Sequence, residues 1–422
     1  MSRIVLATWG SFGDLHPYIA VARGLLARGH EASIATCAEY RAKVEGEGIS
    51  FHPCAPDLGG LLDDPESLRR AYDEKTGTEY VVRGIMMPAI EHTYNDLLAA
   101  FAGADIVVGH PILYAVPVAA EKLRIPWLSV ALQPAFFFST YDPPYFPRAP
   151  WLYGLRRFRW PFALFFALAK RQVKDWAEPV LDLRRRAGLP PPQGNPVLEG
   201  SFSPCGTLAC FSSLLGGPQP DWPPLTRQTG FPFYDRLDPG RGLSAPLEAF
   251  LQEGEPPVVF TLGSSAVTNA GDFYEQSLSA VRTLGCRAVF LTGLDGLNRL
   301  PGPLPDSVAV ADYAPYSELL PRASAVVHQG GIGTTAQALR SGRPMLVVPF
   351  SHDQPDNARR CVRLGVARLL PRGGYNAGRA AAALRILLSD PGYATNAAAA
   401  GRAVAGEDGV AAACEAIASA LS

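Results

Sequence analysis

The sequence predicts an α/β chain folded as two doubly wound, parallel-sheet domains, and three observations carry that expectation. Apolar, strand-length runs alternate with helix-length segments over 3–130 and again over 258–349, the rhythm of βαβ units. A proline- and glycine-rich stretch after 203 separates the two series. At 422 residues and 45.1 kDa the chain exceeds what one hydrophobic core supports.

In order, residues 3–7 read as a first strand, 17–28 as a helix opened by Pro17 and closed by Gly29, 32–36 as a strand and 38–45 as a helix. Residues 105–108, 113–123 and 127–130 continue as strand, helix and strand. The alternation breaks over 133–189, an aromatic, proline-rich insertion that carries Phe136, Phe137, Phe138 and Tyr145. Such a stretch beside strand ends either lines a pocket for an apolar ligand or covers its own core. The second series predicts strands at 258–262, 288–292, 308–311, 325–328 and 345–349, with helices at 273–283, 317–320 and 334–341. The alanine-rich end, 396–421, reads as helix. The division expected is a first domain over 1–220, a linker over 221–245, a second domain over 246–403, and a last helix, 404–422, that packs back on the first domain.

A formal net charge of -1 and a pI of about 6.7 give the whole chain no field for nucleic acid or an anionic membrane. Hydrophobic residues make up 48%, which argues against disorder. The 7 cysteines are scattered, odd in number and without a CxxC pair, so a reduced, cytoplasmic protein is expected instead of a disulfide framework or a zinc site. Residues 3–7 read as a first strand, so no signal peptide is expected. The apolar run 158–168 falls short of the ~20 residues a spanning helix needs, so stable membrane insertion is not expected.

The run 326–335, Val-Val-His-Gln-Gly-Gly-Ile-Gly-Thr-Thr, reads as a buried strand entering a glycine-rich turn that opens a helix. Unpaired amides and the helix dipole at such a junction suit an anion. Gly330, Gly331 and Gly333 let a ligand approach the backbone closely. The spacing matches neither the P-loop nor the dinucleotide fingerprint, and for the glycines alone a packing turn is the plainer reading. His328 stands at the strand's C-terminal end, where open α/β sheets bind ligands. The next strand end delivers the pair Asp353 and Gln354, suited to sugar hydroxyls. Asp14 and His16 follow the first strand, and His110 follows the strand at 105–108. No Asp-x-Asp cluster lies near these residues, so no metal is expected.

Together, Asp312-Tyr313-Ala314-Pro315, His328 with its glycines, and Pro349 to Gln354 resemble the donor signature of the family 1 glycosyltransferases, the UDP-glycosyltransferase superfamily. Residues 10–17, Gly-Ser-Phe-Gly-Asp-Leu-His-Pro, resemble the opening of its bacterial and sterol-type branch, which includes rhamnolipid, sterol, macrolide and flavonoid enzymes. Phe260 to Ser265 resembles its first donor-domain strand and phosphate loop. The resemblance spans nearly the whole chain and implies the GT-B fold, two Rossmann-like halves facing a central cleft. It implies inverting, metal-independent transfer of a hexose from a nucleotide diphosphate sugar, UDP-glucose first, to a hydroxyl of a hydrophobic small molecule: a phenol or flavonoid, sterol, macrolide or lipid. A dTDP-rhamnose-dependent lipid rhamnosyltransferase is the nearest alternative. An epimerase of UDP-N-acetylglucosamine shares the architecture, but the aromatic insertion argues against it. A non-catalytic nucleotide-sugar-binding protein is the third reading, and the intact Asp14, His328 and Asp353-Gln354 set argues against that. No cofactor is implied beyond the UDP-sugar or dTDP-sugar co-substrate.

The resemblance also implies roles. Plant relatives place a histidine base three residues before a proline; Asp14 holds that place here, and His110 stands where their orienting aspartate falls. The dyad therefore reads as exchanged, with Asp14 facing the acceptor and His110 behind it or sharing the proton. Asp14 equally suits an N-cap, and His16 a loop histidine at the cleft edge. On the donor side His328, the amides of Gly330 to Thr334 and the Thr334 hydroxyl would hold the diphosphate, with Ser264 and Ser265 opposite. Tyr313 and Ala314 occupy the place where relatives stack a tryptophan on the base, and Asp353 and Gln354 would bind the transferred sugar. Phe136, Phe137, Phe138 and Tyr145 would line the acceptor pocket. The relatives' ribose-gripping glutamate is missing: the stretch reads Gly331-Ile332-Gly333 and Ala336, with Gln337 adjacent, so dTDP sugars are admitted beside UDP sugars.

Overall fold

The computed structural model describes residues 1–59, 64–192, 194–235, 242–294 and 297–421. The chain divides into two units, Met1–Tyr234 with Asp408–Ser422, and Asp235–Glu407.

The first unit carries a seven-stranded parallel sheet: β1 (Arg3–Ala7), β2 (Glu31–Thr36), β3 (Ser50–Pro53), β4 (Ile106–Gly109), β5 (Trp127–Ala131), β6 (Thr207–Ala209) and β7 (Thr226–Gln228), in the order β3-β2-β1-β4-β5-β6-β7. The order reverses between β1 and β4, the place where doubly wound sheets open a crevice for ligands. The register pairs Ala7 with Gly109, so the residues that follow these two strands leave the sheet side by side. β1 and β4 are almost wholly buried, which is why both read as short, unbroken apolar runs.

The helix after β1 spans Phe12–Leu26, starting five residues before the position that Pro17 suggests. Ser11 is the N-cap and Asp14 completes a capping box with it, so the cap outweighs the proline as a start signal. Pro17 then lies inside the helix, where it supplies no N–H for the Gly13 carbonyl. β7 falls inside the stretch expected to be linker and instead extends the first sheet; a three-residue strand is too short to show a period. Residues 236–241 of that stretch lie outside the described residues.

The alanine-rich end is two helices, Pro391–Ala405 and Gly409–Ala420. Asp408 separates them by capping the second, accepting from the Ala411 N–H. That last helix packs on Phe12–Leu26 through small residues; a Cβ at Gly24 would meet Val410 and Cys414. The insertion over 133–189 folds as short helical turns and two helices, Arg159–Gln172 and Glu178–Arg186, over a satellite core of Leu152 and Phe162.

The second unit carries six parallel strands: β8 (Val258–Phe260), β9 (Ala288–Leu291), β10 (Val308–Ala311), β11 (Ala325–His328), β12 (Met345–Val347) and β13 (Ala367–Leu369), in the order β10-β9-β8-β11-β12-β13. Phe260 and Phe290 stack at 4.6 Å in its core. β8, β11 and β12 are adjacent, so their C-terminal loops share one edge of the sheet. All seven cysteines are free thiols.

Candidate functional site

In the first unit the chain leaves β1 through Gly10, at φ +132°, and enters the helix at Ser11. A Cβ at Gly10 would lie 2.3 Å from Asp14 Oδ2, so this position has to be glycine for the carboxylate to sit where it does. Tyr40 donates its hydroxyl to the Gly10 carbonyl at 2.9 Å and holds that turn. Asp14 Oδ2 accepts from the Ser11 N–H at 2.8 Å and from its hydroxyl at 3.2 Å. Asp14 is thus the third helical residue and closes the capping box, so the expected contest between base and N-cap dissolves: capping occupies one carboxylate oxygen.

Beyond the other oxygen, Oδ1, His110 presents Nε2 at 3.8 Å. His110 follows β4 and is buried. Its Nδ1 accepts from the Ile112 N–H at 3.3 Å, which places the ring proton on Nε2. That nitrogen finds no hydrogen-bond partner among the described residues. Burial pushes the Asp14 carboxyl up to about 6, and burial pulls His110 down to about 3. The imidazole is therefore neutral, and the carboxyl titrates near neutrality with 31% of its side chain still open to solvent. A neutral N–H donor beside a carboxylate of raised basicity is an arrangement that can take a proton from an alcohol.

His16 lies within the helix, not in a loop, and its ring packs between Phe12 and Tyr234. The four aromatic candidates part company. Phe136 and His110 meet with their rings nearly perpendicular, centroids 5.6 Å apart. Phe137 is instead a core residue, 6% exposed and packed on Trp222, Phe202 and Phe211, because the 3-10 turn Pro134–Phe137 rotates it inward. Phe138 meets Phe166, and Tyr145 meets Tyr153.

In the second unit β11 ends at His328, and successive residues of a strand point to opposite faces. His328 is fully buried, its Nδ1 accepting from the Gly330 N–H at 3.1 Å and its Nε2 lying 3.3 Å from Met345 Sδ. Burial pulls its pKa down to about 3. Both ring nitrogens of the expected diphosphate donor are thus engaged within the protein, one by the Gly330 N–H and one by Met345. Gln329 points the other way, and sequence reasoning passed over it. Its Nε2 donates to Thr334 Oγ1 at 3.4 Å, while its buried Oε1 has no partner among the described residues. A Cβ at Gly263 would meet the Gln329 amide at 2.5 Å, and one at Gly331 would meet it at 2.9 Å. The glycines around this turn therefore leave room for the Gln329 amide as well as for a ligand; that pattern of missing side chains is the signal in the sequence.

Gly331 caps the helix Ile332–Arg340, so the amides up to Thr334, Gly333 among them, head its first turn. Ser264 is exposed in the short helical turn Gly263–Ala266, and the side chain of Ser265 lies outside the described ones. Tyr313 is half exposed after β10, whereas Ala314 is buried and presents no side chain to solvent.

After β12, Asp353 Oδ2 accepts from Asn357 Nδ2 at 2.6 Å, and the same amide donates to the Gly330 carbonyl at 3.0 Å, tying this loop to the glycine turn. Gln354 spends its Oε1 on the Phe350 and Ser351 amides, at 2.8 and 3.2 Å, so it braces its own loop instead of presenting that oxygen to a sugar. His352, at φ +55°, is a strained non-glycine residue beside them that the sequence did not flag. Among the described residues no group of three His, Cys, Asp or Glu side chains is placed to hold a metal ion.

The family profile described as glycosyltransferase family 28 N-terminal domain matches residues 4–141, and that described as erythromycin biosynthesis protein CIII-like, C-terminal domain, matches 294–414. O-mycaminosyltylonolide 6-deoxyallosyltransferase of Streptomyces fradiae is 36% identical over 430 residues, which cover 98% of this chain and 96% of that protein. A sterol 3-beta-glucosyltransferase of Arabidopsis thaliana is 28% identical over 98% of this chain, which spans only 65% of its length. Among solved structures, the glycotransferase of kitacinnamycin superposes with a TM-score of 0.75 at 22% identity, over 100% of this chain and 99% of its own. Glycosyltransferase VinC, solved with dTDP, superposes at 0.68 and 20% identity over 99% of each chain.

Proposed function

Because this chain belongs to the family 1 glycosyltransferases and has the GT-B fold, we propose that it moves a hexose, with inversion, from a nucleoside diphosphate sugar to a hydroxyl of a hydrophobic, ring-rich acceptor. One observation carries the reading: the Asp14 carboxyl, its pKa raised to about 6, faces a buried imidazole N–H that has no hydrogen-bond partner among the described residues. Asp14 takes the acceptor's hydroxyl proton. The acceptor oxygen bonds to the sugar's anomeric carbon, and the bond from that carbon to the diphosphate breaks with its electrons on the leaving oxygen. The amides of Gly331 to Thr334, and the Nε2 hydrogen of Gln329 not given to Thr334, take up the charge that develops on the diphosphate. Bound protein groups supply all of this stabilisation, so the transfer needs no divalent metal.

UDP-glucose is the first donor; the sterol 3-beta-glucosyltransferase relative is named for transfer of glucose. A dTDP-deoxyhexose is the second reading, and a specific observation favours it: Ala336 stands where the relatives' ribose-gripping glutamate falls, and the adjacent Gln337 spends its Oε1 on Arg340 at 2.7 Å. The deoxyallosyl-transferring relative and the dTDP complex of VinC point the same way. The test is release of UDP or dTDP from UDP-glucose and dTDP-hexoses against a panel of macrolide, sterol and phenolic acceptors. If no pairing exceeds the slow hydrolysis seen without acceptor, the transfer reading fails.

A further inference from the structure

The helix Arg159–Gln172 is apolar on both sides although it lies at the surface. Its inner side places Phe162, fully buried, and the half-buried Phe165 and Phe166 on the satellite core. Its outer side carries Trp160, Leu164 and Leu168, spaced i, i+4, i+8 and 69%, 55% and 59% exposed. Phe158 and Trp151, 57% and 67% exposed, extend the apolar side at its leading end. A helix with apolar residues all round belongs in an apolar environment, and this one is covered on one side only.

The charge along this stretch of the sequence is one-sided as well. Between Asp142 and Asp175 the chain has seven basic residues and no acidic one, within a protein of net charge -1. Arg148 and Lys170 are paired with Glu79 and Glu199. Arg156, Arg157 and Arg159 stand before the stripe, and Arg171 and Lys174 follow it, with no acidic neighbour in sequence between the two groups. Arg159 stacks on Tyr141 at 3.6 Å, which holds its stem beside the helix.

We propose that this face docks the first unit on an anionic lipid surface. The apolar stripe enters the headgroup boundary, aromatic rings lie at its leading end, and the cations at both ends meet lipid phosphates. Fourteen residues of helix reach about 21 Å, less than the ~30 Å hydrocarbon core, so the helix lies in the surface and does not cross it. The inference is independent of the transfer reading and holds whatever the sugar and acceptor.

The experiment is vesicle flotation of the full chain with phosphatidylcholine alone or mixed equally with phosphatidylglycerol. Capture by the phosphatidylglycerol vesicles, lost in high salt and at least about tenfold weaker with phosphatidylcholine alone, is the expected result. Trp160→Ser with Leu164→Ser, and separately Arg156→Gln with Arg157→Gln, should each reduce capture by at least about tenfold, with melting temperatures recorded to exclude unfolding. The salt dependence of the unaltered protein stands even if a variant fails to fold. Absence of capture by anionic vesicles overturns the proposal, as does capture indifferent to lipid charge and salt. Light scattering that shows a dimer lost in the serine variant, with no vesicle capture, assigns the face to a second copy of the chain instead.

Discussion

His110 Nε2 stands 3.8 Å from Asp14 Oδ1, and the remaining Asp14 oxygen is bound by Ser11, so one carboxylate both closes a helix cap and confronts an otherwise unpartnered imidazole N–H. The gap is longer than a hydrogen bond, and it closes with a movement of about 1 Å, as catalytic pairs do when substrate binds. An oxygen capped by the backbone cannot swing away, which leaves Oδ1 as the basic atom.

Asp14→Asn keeps the acceptor for the Ser11 amide and cannot take a proton. Turnover should fall by 10²-fold or more, roughly the share of a general base, while binding of the nucleotide product stays unchanged. In the unaltered enzyme kcat/KM should rise with pH and level off above about 6, following the raised carboxyl. Near-normal turnover in the variant would remove Asp14 from the chemistry.

The same substitution has a stability signature with a fixed sign. The folded carboxyl titrates near 6 and the unfolded one near 3.8, so the folded state holds its proton longer and loses stability as pH climbs through that window. Asp14→Asn should melt at least as high as the unaltered protein above about pH 7 and show no such gain near pH 4. Thermal melts at both pH values check this; a variant that is less stable only at neutral pH would contradict it.

His110→Asn retains an acceptor for Ile112 and loses the Nε2 proton. A loss of about tenfold or more in kcat, with a shifted acidic limb and unchanged nucleotide binding, is expected if the imidazole positions the carboxylate. Changes confined to melting temperature would make it a packing residue.

On the donor side the two neighbours separate cleanly. Gln329→Ala should weaken binding of UDP or dTDP by about 10- to 100-fold, the worth of a hydrogen bond to a charged group. His328→Asn should leave that affinity within a few-fold, since Asn can still accept from Gly330. Calorimetry with the free nucleotides measures both, and the reverse order would return the diphosphate to His328.

Acid should unfold this protein through its buried histidines. His110 and His328 titrate near 3 when folded and near 6.5 when unfolded, so their stabilisation is complete above 6.5 and is lost as pH falls toward 3. Each contributes a slope of about 1.4 kcal/mol per pH unit, which together outweighs the opposite effect of Asp14. Denaturant titrations from neutral pH downward should show a shallower acid limb in His328→Asn.

The alternation of buried runs and amphipathic segments was legible because each is local: four or five apolar residues make a central parallel strand wherever the chain goes next. The glycine turn at 330–333 and the Asp14 and His110 positions at strand ends were legible for the same reason. β6 and β7 were not, since a three-residue strand has no period and is fixed only by the neighbour it pairs with. The direction of a side chain at a strand's end is equally non-local. The sequence by itself determined that a histidine and a glutamine precede the glycines, but only packing against Met345 and the space left by Gly263 decided that the histidine goes under the turn and the glutamine into it. Likewise Phe136, Phe137 and Phe138 read as one aromatic run, and the 3-10 turn that carries Phe136 and Phe137 sends the three rings to three different places, because neighbours on a helical turn face about 100–120° apart.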